Sequence, residues 1–213
     1  IEDALKLLSG SAAPNADREQ FLLAQLAFWL LAATDGHAKN FSVFLHAGDS
    51  YRLTPLYDVL SAWPIIGQGA NALSPQKARL AMGLRARNMH YRLRGIRARH
   101  YRELAQKSGV PTVWDKMQEL INNVPPSLAA VEKRLASDFP RMLWERISNG
   151  LLSQARAFKN ETPGGGSAKT RLRGACVDGS AVVCSAAQGA SMTITNRQSG
   201  TNVHEVADGI YRI

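Results

Sequence analysis

Cysteine is nearly absent from this 213-residue chain: only Cys176 and Cys184 occur, both in its last quarter. Two thiols so placed supply no disulfide framework, and a reducing, cytoplasmic setting is expected. Long apolar runs are missing too. The longest, Phe21 to Ala33, is interrupted by Gln25 and falls short of the roughly 20 residues that span a bilayer, so it predicts a buried helix and no membrane association. The opening "IEDALKLLSG" is acidic and amphipathic, unlike the basic and apolar leader of a secreted protein. It has no initiator methionine, so Ile1 is expected to open a fragment or an internal cut. Acid is scarce in one region. Between Lys77 and Lys107 ten basic residues meet a single acid, Glu103, which leaves 16 basic and 16 acidic residues elsewhere. The net charge of +9 therefore resides in that 31-residue stretch.

What is present suffices for one good-sized domain, since 45% of the residues are hydrophobic. Asp17 and Gln20 have capping-box spacing, which predicts a helix from Asp17 to about Ala33, apolar on most sides. The period then changes to two. Phe41, Val43 and Leu45 alternate, "HAGDS" supplies turn residues and "YRLT" resumes the extended pattern, predicting a β-hairpin. "RLAMGL" and "MHYRLRGI" predict a second hairpin inside the basic stretch. Helices are expected over about 98–108, 112–122, 127–137 and 140–158, separated by "SGVP", "NNVPPS" and "SDFP". Residues 1–160 thus read as one mainly α domain with one or two small hairpins. Residues 161–213 are rich in Gly, Ser, Ala and Thr, with hardly an aromatic before Tyr211; such a tail buries too little to offset its ordering entropy, and disorder is expected. Its "GGGSAKT" lacks the glycine a phosphate loop needs before Lys169, because Ala168 stands there. "VHEVADGIYRI" resembles the opening strand of metallo-β-lactamase-fold hydrolases, with Met192 a start just upstream, but no metal-binding cluster follows it. The tail is expected to be linker or read-through sequence without chemistry of its own.

The apolar run ends abruptly in "TDGHAKN", Thr34 to Asn40. Asp-Gly alone is a common turn, Asn40 alone a turn residue, and Asp58 alone a partner for an arginine. Jointly they form a pattern with a chemical purpose. Phosphoryl transfer from ATP needs a carboxylate that takes the acceptor hydroxyl's proton, and oxygen ligands for the magnesium on the phosphates. Protein kinases supply these as an Asp, an Asn five residues later, and a second Asp beyond a short hairpin. Here Asp35, Asn40 and Asp58 stand at that spacing, with the first predicted hairpin between the last two.

"WLLAATDGHAKNFSVFLHAGDSYRLTPLYDVLSAWP" closely resembles the catalytic segment of HipA-type serine/threonine kinase toxins, and the resemblance continues through "KARLAMGL" and, weakly, to about residue 158. The wider Asp-x-His-x-x-Asn pattern is similar to that of lipid kinases related to phosphatidylinositol kinases. The resemblance implies a helical kinase C-lobe, with Asp35 as proton acceptor and His37, Ala38, Lys39 and Asn40 at the nucleotide phosphates. It implies Asn40 and Asp58 as magnesium ligands and Tyr57 lining the nucleotide pocket, with ATP and Mg2+ as cofactors. It further implies a protein hydroxyl as acceptor, an aminoacyl-tRNA synthetase being the known target class, and restraint by a helix-turn-helix antitoxin on operator DNA. The 34 residues before Asp35 contain no glycine-rich loop, no strand-borne lysine and no hinge, so phosphotransfer is expected only where an N-terminal lobe completes the site; the alternative is a truncated, inactive remnant that binds antitoxin or DNA. The basic stretch reads as a solvated charged surface, as a contact to operator DNA phosphates through Arg97, Arg99, Arg102 and Lys107, or as a surface for an acidic protein or RNA.

Overall fold

A computed structural model of the chain describes residues 1–162 and, as backbone only, three short strands farther on. Helix α1 (Glu2–Leu8) leads into the central helix α2 (Pro14–Leu31), which buries Phe21, Leu22, Leu26, Phe28, Trp29 and Leu30. Side chains of that size contribute about 1.5–3 kcal/mol each when fully buried, so α2 is the spine of the domain. It begins three residues before the expected start. Pro14 occupies the first turn, where its missing N–H costs nothing, and Asp17 lies inside the helix and caps nothing.

Asp17 is instead fully buried and faces the first hairpin, β1 (Ser42–His46) and β2 (Ser50–Leu53), paired antiparallel from Val43↔Leu53 to His46↔Ser50. The Arg52 Nε donates to both Asp17 carboxylate oxygens, at 3.0 and 3.1 Å, and the Leu53 N–H donates to Oδ2 at 3.1 Å. The Gln20 amide donates to the Thr54 carbonyl at 3.0 Å. Both residues of the expected capping box thus tie β2 to α2, and Leu8, Phe21 and Leu53 form a small apolar cluster beneath the hairpin.

The second hairpin, β3 (Arg79–Arg85) with β4 (Met89–Arg92), packs on α3 (Ala98–Lys107). Helices α4 (Val113–Glu132) and α5 (Arg141–Glu161) close the main core around α2. Here one expectation is corrected: "NNVPPS" does not separate two helices, because α4 runs through Pro125 and Pro126 and ends at Glu132. Both prolines lie on the exposed side of the helix, while Val124 and Leu128 keep the apolar stripe on the core. Mainly α architecture with two small hairpins is as the pattern predicts. Beyond residue 162 the described backbone consists of β5 (Thr193–Thr195), β6 (Asn202–Ala207) and β7 (Ile210–Arg212), in the order β2-β1-β7-β6-β5. The expectations of disorder, of an idle "GGGSAKT" and of a role for Met192 otherwise fall outside the described residues. Among the described residues no helix is long and apolar enough to cross a membrane.

Candidate active site

Helix α2 ends in a left-handed turn at Ala32 (φ 51°), a position that usually takes glycine. The Ala33 N–H bonds back to the Phe28 carbonyl at 2.8 Å and the Ala32 N–H to that of Trp29 at 3.2 Å. The remaining carbonyls are satisfied from far along the chain. Trp63 Nε1 donates to Leu30 O at 2.8 Å, Ser61 Oγ to Leu31 O at 2.7 Å, and the Ala62 N–H to Ala32 O at 3.2 Å. The strap that follows Asp58 is thereby bolted to the helix end that precedes Asp35. Arg146 of α5 adds a bond to the Pro64 carbonyl at 2.6 Å. Gly150 of α5 makes room for the Trp63 ring: a Cβ there would stand 2.3 Å from Trp63 Cδ2.

After the turn, "DGHAKN" crosses the end of α2. Gly36 is needed for close approach, since a Cβ would lie 2.5 Å from the Phe28 ring. Phe41 packs between Phe21 and Phe28, with centroids 4.8 and 5.7 Å away, which fixes the far end of the loop. Residues Ala38–Asn40 form one short 3-10 turn that buries Asn40.

Asn40 and Asp58 meet as the spacing predicts: Asn40 Nδ2 donates to Asp58 Oδ2 at 3.2 Å across the base of the hairpin. Asn40 Oδ1 is buried and has no hydrogen-bond partner among the described residues. An orphaned amide oxygen beside a carboxylate is the donor set a hard cation accepts, and magnesium keeps several waters when a protein offers it so few ligands. The pair therefore fits the ion the sequence implies; no cluster of three or more His, Cys, Asp or Glu residues suited to a metal occurs among the described residues. Asp58 itself sits at φ 53°, a left-handed conformation that Asp tolerates better than most residues.

Asp35 points into solvent, its side chain 72% exposed, with His37 Nε2 at 3.7 Å from its Oδ1. His37 Nδ1 is buried without a partner among the described residues, and Ala38 and Lys39 are exposed. The Tyr57 hydroxyl is 2.6 Å from Ser42 Oγ and donates to the Lys39 carbonyl at 3.2 Å, so Tyr57 clamps the loop to the strand leaving it. The loop lies on an open face. A cleft of about 680 Å³ between α2, α4 and α5, lined by Leu30, Leu120 and Trp144 among others, touches none of these residues.

The basic candidates are divided by the fold. Arg97 pairs with Glu161 at 2.9 Å, and Glu161 also accepts the Ala98 N–H at 3.1 Å, which caps α3 from α5. Arg102 lies over the Trp114 ring at 6.0 Å. Arg99 and Lys107 remain exposed without an acid in ion-pair range among the described residues. Beneath them His100 is buried and stacked on His90, with centroids 3.8 Å apart and 16° between planes, and its Nδ1 accepts the Arg97 N–H at 3.2 Å. Burial, then His90 and Arg99, lower its pKa from 6.5, against smaller opposing effects of Glu103 and Glu161. A lowered histidine pKa means the unfolded chain binds the extra proton first, so the stability contributed by neutral His100 is present above pH 6.5 and is lost as pH falls below it. Unfolding in urea between pH 7.5 and 5 ~ the two sides of histidine titration ~ should show a fall in midpoint that His100→Gln reduces; parallel profiles would remove this account.

Sequence reasoning did not single out Ser61, Trp63, Arg146 or Gly150. Only the "SAWP" within the conspicuous segment hinted at the first two; nothing local marks the others. A family model described as the HipA-like C-terminal domain matches residues 1–131, which takes in the loop, both hairpins and the helices through most of α4.

Proposed function

The chain belongs to the HipA-like C-terminal domain family, and on that premise we propose that it is the catalytic lobe of a toxin-type kinase that moves the γ-phosphate of ATP to a protein serine or threonine hydroxyl. The observation that carries this reading is the Asn40–Asp58 pair, with a buried amide oxygen that has no partner among the described residues beside a carboxylate. Magnesium bound there would neutralise charge on the nucleotide phosphates. Asp35 takes the proton of the acceptor hydroxyl as its oxygen bonds to phosphorus and the bond to ADP breaks; His37 Nε2 stands 3.7 Å from Asp35 Oδ1. Lys39, exposed on the turn, and His37 would meet phosphate oxygens in this reading. Tyr57 holds the loop at the Lys39 carbonyl and so sets the direction of those contacts.

A protein acceptor such as an aminoacyl-tRNA synthetase and a helix-turn-helix antitoxin on its operator are the partners this reading brings with it, and both rest on the family resemblance. Operator contact would use Lys107, and Arg99 through the part of its guanidinium not bonded to His100, more than Arg97 and Arg102, which are engaged with Glu161 and Trp114.

The test is nucleotide binding by the product of the intact gene, measured by calorimetry with a non-hydrolysable ATP analogue, with magnesium and with chelator. Magnesium should strengthen binding, and Asn40→Ala or Asp58→Asn should remove at least about tenfold of that gain, the lower range for disturbing a metal's ligand shell. Binding that ignores magnesium in the unaltered protein would sink the proposal.

A further inference from the structure

Much of the remaining charge of the basic stretch lies on and beside the second hairpin. Arg79 and Arg92 are direct cross-strand partners, both exposed. Like charges placed opposite each other destabilise a sheet, and neither arginine has an acid in ion-pair range among the described residues; Arg85, by contrast, reaches Glu2 at 3.2 Å. Arg87 at the turn and Arg94 just past β4 extend the same positive surface.

An aromatic ring is exposed on the same hairpin. Tyr91 is 44% exposed, and it packs across Gly83 of β3, where a Cβ would come within 2.8 Å of its Cε1 and Cζ. Glycine at 83 lets the ring settle against the strand while much of it stays open to solvent. Met89, 40% exposed, adjoins the same glycine through its sulfur. A folded chain gains nothing from holding a tyrosine and a methionine in water on a hairpin whose Arg79 and Arg92 have no acid partner among the described residues. A ligand with alternating flat faces and phosphates would gain from both, because bases stack on aromatic rings while arginines follow the backbone. Duplex DNA keeps its base faces stacked inside and would engage the arginines alone.

We propose that the β3–β4 hairpin binds single-stranded nucleic acid, with Tyr91 as the stacking platform and Arg79 and Arg92 as phosphate contacts. This surface is separate from Asp35, Asn40 and Asp58, and its action does not require phosphotransfer. RNA and single-stranded DNA share the chemistry it reads.

The experiment is fluorescence anisotropy of the whole chain with fluorescein-labelled oligouridylate and oligothymidylate of about 12 nucleotides, and with a duplex of the same length. Both single strands should bind more tightly than the duplex; tighter oligouridylate binding would assign RNA, and equal binding would assign single strands of either kind. Tyr91→Ala should weaken single-strand binding by about 5- to 150-fold, and Tyr91→Phe should retain it. Arg79→Gln combined with Arg92→Gln should reduce the slope of log affinity against log salt by about 1.4, or ~0.7 per lost phosphate contact. Thermal melting checks that each variant is folded, and the arginine pair, being exposed, tests the surface without disturbing the core. Duplex binding as tight as single-strand binding, wild-type affinity in Tyr91→Ala, or no binding at low salt would each overturn the proposal.

Discussion

Arg52→Leu is expected to cost about 3–5 kcal/mol of folding stability, the range for stranding one partner of a buried ion pair. Asp17 is fully buried, whereas the Arg52 side chain is 40% exposed. Removing the guanidinium leaves a carboxylate in the interior with one remaining donor, the Leu53 N–H. The reverse substitution is milder. With Asp17→Asn the arginine can turn outward to water, so the loss is about 1–3 kcal/mol, that of disturbed buried hydrogen bonds. Urea unfolding of the two variants decides the matter, because only a pair with one buried and one half-exposed member predicts this asymmetry. Equal losses would mean that the contact is an ordinary surface bridge, worth about 0–1 kcal/mol. The consequence reaches the candidate active site: Asp17 and Gln20 hold β2, and the β1–β2 hairpin is the whole connection between Asn40 and the strap that carries Asp58. A loosened hairpin should therefore weaken magnesium-dependent nucleotide binding in Arg52→Leu even at temperatures where the rest of the domain is folded.

That pair also shows where sequence reasoning stops. The contact of Asn40 with Asp58 was legible because it follows from spacing along one short segment, and the alternation of Phe41, Val43 and Leu45 located the hairpin that folds Asp58 back onto Asn40. Asp17 stood at capping distance from Gln20, a local rule; its true partner is 35 residues away, and no spacing rule distinguishes Arg52 from other arginines. The α4 prolines misled for a related reason. Their cost is local and visible, while the packing of Val124 and Leu128 that outweighs it depends on α2 and α5 being in place. The same holds for Arg97 and Arg102. Both read as free charge on a helix until Glu161 and Trp114 arrive from other helices. Gly150 is silent in sequence because its reason is the Trp63 ring of a distant strap. The loop and its hairpin were readable; the bolts that hold them were not.

Asp35→Asn should separate chemistry from binding. Its side chain is 72% exposed and contacts only His37 among the described groups, so the substitution removes charge without stranding a buried partner, and stability should change by no more than about 0.5 kcal/mol. If Asp35 takes the acceptor proton, phosphotransfer by the product of the intact gene should fall by about 10²- to 10⁴-fold, the worth of a positioned general base. Nucleotide affinity with magnesium should stay near its original value, because Asn40 and Asp58 are untouched. Asp58→Asn should reverse the pattern and lose magnesium-dependent affinity together with turnover. The division follows from the geometry: buried Asn40 is joined to Asp58 at 3.2 Å, and Asp35 extends into solvent with His37 as its neighbour. Phosphate transfer to a protein acceptor, followed by mass spectrometry, would sink the assignment if Asp35→Asn kept its rate. A loss of nucleotide affinity in Asp35→Asn as large as that in Asp58→Asn would instead place all three oxygens around one ion.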